Sequence, residues 1–155
     1  MVIDRYEKIF MLLGVVILVV GLIAIAVSVF HYGLHVSRPA GRIDPVQARN
    51  TAPFDEPGVY ETDDGEYEAV VLAETWRFLP DEIRVPAGSE VTFRMTSADV
   101  VHGIMIEKTA VNTMIIPGQI SEVTHTFEQP GEYLFVCHEY CGTGHHLMSG
   151  RVVVE

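Results

Sequence analysis

A chain of 155 residues has room for one ordinary domain and a short extension, which excludes two large domains. Apolar residues make up 48% of it and its mean hydropathy is positive at +0.25, yet it carries 21 acidic side chains, so the apolar residues must be segregated along the sequence. A formal net charge of -11 argues against nucleic acid as a partner.

Ile9 to Phe30 contain no charged residue, proline, asparagine or glutamine. As an α-helix this stretch rises about 33 Å, enough for a hydrocarbon core of about 30 Å. The expectation is one membrane span over residues 9–30, within an N-terminal anchor of residues 1–35. The alternative is a cleaved signal peptide, with Arg5 and Lys8 as its basic region and Ala24-Ile25-Ala26 as a cleavage site. The apolar run exceeds the about 7–15 residues usual in such a peptide, and the sequence begins at Met1, so retention is favoured. Arg5 and Lys8 before the span are matched by Arg38 and Arg42 after it, so charge does not set the orientation. Gly14, Gly21 and Ser28 recur every seven residues and share one face, where another helix could approach closely. The ordinary abundance of small residues in membrane helices produces such a pattern too.

Residues 31–155 hold eight of the ten Lys and Arg but nineteen of the twenty-one Asp and Glu. Such a surplus steers a basic protein toward the domain, or else is simply a solvated, salt-adapted surface. Residues 36–65 are rich in Pro, Gly, Arg and Asp and show no sustained period, so they read as a connecting segment with room for one short strand. After them come short β-type runs: 68–73, 90–96, 121–127, 132–137 and 150–154. Val91, Phe93 and Met95 alternate with polar residues, the pattern of a half-buried strand. Pro80, Pro86-Ala87-Gly88, Pro117-Gly118 and Pro130-Gly131 punctuate the runs as turns. The expected fold is mainly β, an antiparallel sandwich or barrel with Greek-key connections, over residues 66–155.

Both cysteines, Cys137 and Cys141, fall in one twelve-residue stretch with His138, His145, His146 and Met148, between two predicted strands. Thiolate, imidazole and thioether together suit copper better than magnesium or calcium, which prefer oxygen. A single blue copper needs only one cysteine, whereas two thiolates could each bridge a pair of ions. The second imidazole must then come from elsewhere, and His102, just after the alternating strand, is the best candidate. A Cys137–Cys141 disulfide leaves the neighbouring His and Met unexplained. A zinc site is chemically allowed, although Met is not a usual zinc ligand. His125, in alternation with Val123 and Phe127, reads as a half-buried histidine rather than a ligand.

The spacing C-x3-C-x3-H-x2-M, with Gly142 after the second cysteine and Asp99-Val100-Val101-His102 upstream, resembles the copper A domain of cytochrome c oxidase subunit II over about residues 66–155. That resemblance implies a cupredoxin-like β barrel and a binuclear copper A centre. It implies Cys137 and Cys141 as bridging thiolates, His102 and His145 as terminal imidazoles, Met148 as a weak axial ligand and Glu139 as a backbone carbonyl ligand. Glu139 also matches a position whose side chain, in many members, reaches a magnesium or manganese ion at the interface with the catalytic subunit. The family spacing selects His145 over His146, and leaves His138 and His146 beside the ligands. Trp76 lies near a family aromatic that helps to admit electrons, and a plain core or surface aromatic is the alternative.

Most subunit II chains carry two membrane helices. A single span is similar to the B-type haem-copper oxidases of some bacteria and archaea. The resemblance thus implies a single-pass protein of a prokaryotic cell membrane with its copper domain on the outer, periplasmic side. The implied partners are a haem-bearing catalytic subunit I and a donor, either cytochrome c or a small copper protein. Other readings of the same residues are a membrane-anchored copper carrier and the copper A domain of a nitrous or nitric oxide reductase.

Overall fold

A computed structural model of the chain describes residues 4–32 and 39–155. The chain divides into two units, residues 1–36 and 37–155. The expected boundary at 35/36, Met1 and Arg38 lie outside the described residues.

Among the described residues the first unit is a single helix, α1 (Arg5–Tyr32), and its most apolar 18-residue window has a mean hydropathy of 3.2. It is long and apolar enough to cross a membrane, and the expected span lies inside it. In water its many valines and isoleucines would be indifferent helix formers, but in lipid only a helix satisfies every backbone group of a lone segment. Its start is capped reciprocally: Asp4 Oδ1 accepts the Tyr6 N–H at 3.0 Å and Glu7 Oε2 accepts the Asp4 N–H at 3.3 Å.

The second unit is a sandwich of two sheets. One runs β1 (Pro39–Arg42), β9 (Gln119–Thr126), β6 (Glu90–Ser97), β3 (Tyr67–Glu74), β2 (Gly58–Glu61), with β4 (Arg77–Leu79) also paired to β3. The other runs β5 (Glu82–Val85), β11 (Ser149–Val154), β10 (Gly131–Val136), β7 (His102–Ile106), β8 (Asn112–Ile115). The alternating Val91, Phe93 and Met95 are fully buried between the sheets, with Phe78, Ile104, Phe135 and Val152 in the same core. Phe78 and Phe135 meet edge to face, ring centroids 5.3 Å apart.

Two features differ from the sequence reading. The sandwich is not purely antiparallel, because β3 pairs with β6, and β5 with β11, in parallel. Between β3 and β6 the chain crosses through β4 to β5 in the opposite sheet and then returns, so β6 runs in the direction of β3. Residues 39–65, expected as a connecting segment, form part of the domain. β1 pairs with β9 and β2 with β3, while Ala48 and Phe54 bury themselves against Val70 and Leu72. This explains why β3 shows no alternation: Ala69, Val71 and Ala73 face the main core, and Val70 and Leu72 face this second cluster on the other side.

Candidate metal centre

The cysteine loop runs from Cys137, directly after β10, to Met148, directly before β11. Its ends are pinned because Val136 pairs with Ser149 and the Cys137 N–H donates to the Met148 carbonyl at 3.0 Å. Inside it, Gly142 takes a positive φ of 120°, and His145–Leu147 form a 3₁₀ turn started by His145 N–H bonding to Gly142 O at 3.1 Å. His102, the first residue of β7, is carried alongside because β7 pairs with β10.

Both thiols are free and buried, with their sulfurs 3.9 Å apart. On the Cys137 side lie His102 Nδ1 at 3.9 Å and the Glu139 carbonyl at 3.2 Å. On the Cys141 side lie His145 Nδ1 at 3.6 Å and Met148 Sδ at 3.7 Å. The donor atoms of His102, Cys137 and Cys141 all lie within 4.8 Å of one another. Burial, reinforced by the neighbouring Cys137, pushes the Cys141 thiol up to about 11. A Cys141 thiol this dry and this close to a second sulfur resists becoming a thiolate unless a cation sits with it. The donors are soft sulfur and imidazole with one carbonyl, which fits copper and not a hard oxygen-seeking ion. The thioether disfavours zinc.

Asp99 orients His102. Its Oδ1 accepts from Nε2 at 2.9 Å, so an Nε2–H leaves the Nδ1 lone pair facing the thiols. Burial alone would push the Asp99 carboxyl up, but bonds from His102, Thr75 and the Val100 N–H outweigh it and hold the group at about 2. Trp76, 44% exposed, donates its indole N–H to the Cys141 carbonyl at 3.2 Å. The ring lies over Gly142 and Gly144, where an added Cβ would fall 2.9 Å and 2.4 Å from it.

Among the described residues of the domain, the other histidines lie outside this donor set. His138 Nε2 bonds to the Thr113 carbonyl at 3.2 Å and its ring covers Gly103. His146 is exposed. His125 lies on β9 against Phe127, ring centroids 4.8 Å apart. The sequence reading gave no role to Asp99 beyond the motif, and none to Thr75. An acid three residues before a ligand-type histidine was the available signal for the first.

With this geometry in view, the comparisons decide the family. The family described as cytochrome C oxidase subunit II, periplasmic domain, matches residues 61–155. A cytochrome c oxidase subunit 2 of Thermus thermophilus is 42% identical over 122 residues, covering 76% of this chain and 90% of the relative. The chain belongs to the cytochrome c oxidase subunit II family.

A second subunit 2 from the same species is 38% identical and aligns over 92% of this chain and 86% of its own. Among solved structures, one from a cryo-EM study of a heme-copper terminal oxidase dimer superposes with a TM-score of 0.75 at 32% identity, over 97% of this chain and all of that one. The crystallised periplasmic domain of subunit II from Bradyrhizobium japonicum shares the fold, with a TM-score of 0.53 at 19% identity over 57% of this chain and 83% of its own. The domain is thus cupredoxin-like, as the resemblance implied, and like other family members the chain is a subunit of an oxidoreductase complex.

Proposed function

We propose that this chain is the electron-transfer subunit of a terminal haem-copper oxidase. It takes electrons from cytochrome c or a small copper protein at a binuclear copper A centre and passes them to haem in the catalytic subunit. The observation that carries this reading is the paired donor set, in which two thiols 3.9 Å apart each have one imidazole and one weaker donor beside them. Cys137 and Cys141 would bridge the two ions, His102 and His145 would bind one each, and Met148 and the Glu139 carbonyl would complete the set. Copper held there changes oxidation state by one electron at a time.

The protein supplies rigidity and dryness. The loop is pinned at its base, both sulfurs are buried, and His102 is clamped from behind by Asp99, so the donors have little freedom to rearrange when charge changes. Trp76 offers a solvent-facing indole bonded directly to Cys141, which supports its role in admitting electrons. The Glu139 side chain, half-buried on the same loop, is our candidate for a magnesium or manganese ligand shared with the catalytic subunit. The family's description as a periplasmic domain, together with α1, supports a single-pass protein of a prokaryotic membrane with the copper domain outside.

Copper counting and paramagnetic resonance on the full chain in detergent test the reading. Two coppers per chain, with one unpaired electron split equally by both nuclei, are expected. One copper with single-nucleus splitting would favour the membrane-anchored carrier. A two-copper chain that copurified with a nitrous or nitric oxide reductase instead of an oxidase would move the domain to that system.

A further inference from the structure

We propose that Asp99 is a positioning residue that ties the His102 imidazole to the turn bearing Trp76, so that one carboxylate sets both the metal-facing ring and the indole over the cysteine loop. The inference rests on the reading above, in which His102 holds metal and Trp76 admits electrons. The two carboxylate oxygens divide the work. Oδ1 accepts from His102 Nε2 at 2.9 Å, from the Val100 N–H at 2.7 Å and from Ser97 Oγ at 3.3 Å. Oδ2 accepts from the Thr75 N–H at 2.7 Å and from Thr75 Oγ1 at 2.9 Å. A carboxylate is planar and rigid, so neither oxygen can follow its partners without moving the other.

Thr75 directly follows β3 in one sheet and His102 opens β7 in the other, so Asp99 links the sheets at the end of the sandwich that carries the loop. The contacts close a ring. From Cys137 Sγ they pass to His102 Nδ1, through the imidazole to Asp99, on to Thr75 and its neighbour Trp76, and from the indole N–H back to the Cys141 carbonyl. Indole and imidazole therefore share one reference point besides the loop itself.

The base of the turn is fixed separately. Glu74 is 3% exposed and pairs with Arg49 at 2.9 Å and with Arg77 at 2.7 Å. Loss of Asp99 should free the tip of the turn, residues 75 and 76, while its base stays in place. This separation allows the tie to be tested without unfolding the domain.

Trp76 is the sole tryptophan of the chain, so intrinsic fluorescence of the full-length protein in detergent reports on it alone. Thr75→Val removes one bond to Oδ2 without touching His102, and Asp99→Asn keeps the size while losing the charge. In the metal-free chain both variants should shift Trp76 emission to the red and raise its quenching by acrylamide. Thr75→Val should also shift the ¹⁵N resonance of His102 Nε2. In the copper-loaded chain both should move the reduction potential the same way, Asp99→Asn further. Wild-type emission in metal-free Asp99→Asn, or an unmoved His102 resonance in Thr75→Val, would overturn the tie. The role of Trp76 fails separately: Trp76→Phe with undiminished electron uptake would remove that role and leave the fluorescence and resonance shifts standing.

Discussion

His102 and His145 flank the same pair of sulfurs but are supported differently. His102 stands on a strand of the sandwich, is fully buried, and has its far nitrogen held by Asp99. His145 stands in a single 3₁₀ turn of the loop, half-buried, with its ring edge to face with Tyr140 at 5.9 Å. One side of the site is thus an extension of the core, and the other is a loop held at its ends, by His138 at the Thr113 carbonyl and under Trp76. The difference teaches that donors of equal chemical rank need not matter equally to the fold. On the strand side, the site and the fold fail together. On the loop side, the site can fail alone.

The largest expected effect ignores the distinction, because the sulfurs belong to both sides. Cys137→Ser and Cys141→Ser should each abolish the two-copper paramagnetic signal, and metal analysis should show fewer than two coppers per chain. A variant keeping the intact signal would mean that the thiols are not shared.

Next come the two imidazoles, which separate the sides directly. His102→Ala leaves a buried cavity and strips Asp99 of a partner, and should cost the metal-free chain about 2–4 kcal/mol in urea unfolding. His145→Ala deletes a half-buried ring with no such partner and should cost less than about 1 kcal/mol. Both should impair copper binding. Equal losses of stability would break the comparison.

This asymmetry could not have been read from the sequence, although the donors themselves could. The loop donors are legible because they are contiguous, and His102 because it follows an alternating strand. β3, β6, β9, β10 and β11 were visible as runs of six to eight residues rich in β-branched and aromatic side chains. β4, β5, β7 and β8 are three to five residues long and too short to show a period, while β1 and β2 lie in a Pro- and Gly-rich stretch that resembles a loop. Parallel pairing of β3 with β6 leaves no local signature. The Asp99–Thr75 contact spans 24 residues and two sheets, and exists only once the crossover has formed.

A smaller effect should come from Met148, which closes the loop side. It is 2% exposed, with its sulfur 3.7 Å from Cys141. Met148→Leu nearly preserves volume and should cost less than about 1.5 kcal/mol. Both coppers should be retained, but with a shifted reduction potential and altered visible absorption, since a weak donor has been replaced by hydrocarbon. Loss of the metal would instead make Met148 a principal ligand and place the loop side on a par with the strand side.

The smallest expected effect belongs to a histidine on neither side, and it calibrates the others. His125 faces Val91 across the β6–β9 ladder and packs on Phe127, and burial lowers its pKa below the usual 6.5. The unfolded chain therefore takes up this proton before the folded chain does. Its contribution to stability is complete above about pH 6.5, is lost as the pH falls toward the lower folded value, and stays constant below that. In the metal-free chain, urea midpoints between about pH 8 and about pH 5 should fall less steeply for His125→Gln than for wild type. An unchanged slope would mean that the acid sensitivity of the fold originates elsewhere and that His125 is only a packing residue of the β6–β9 ladder.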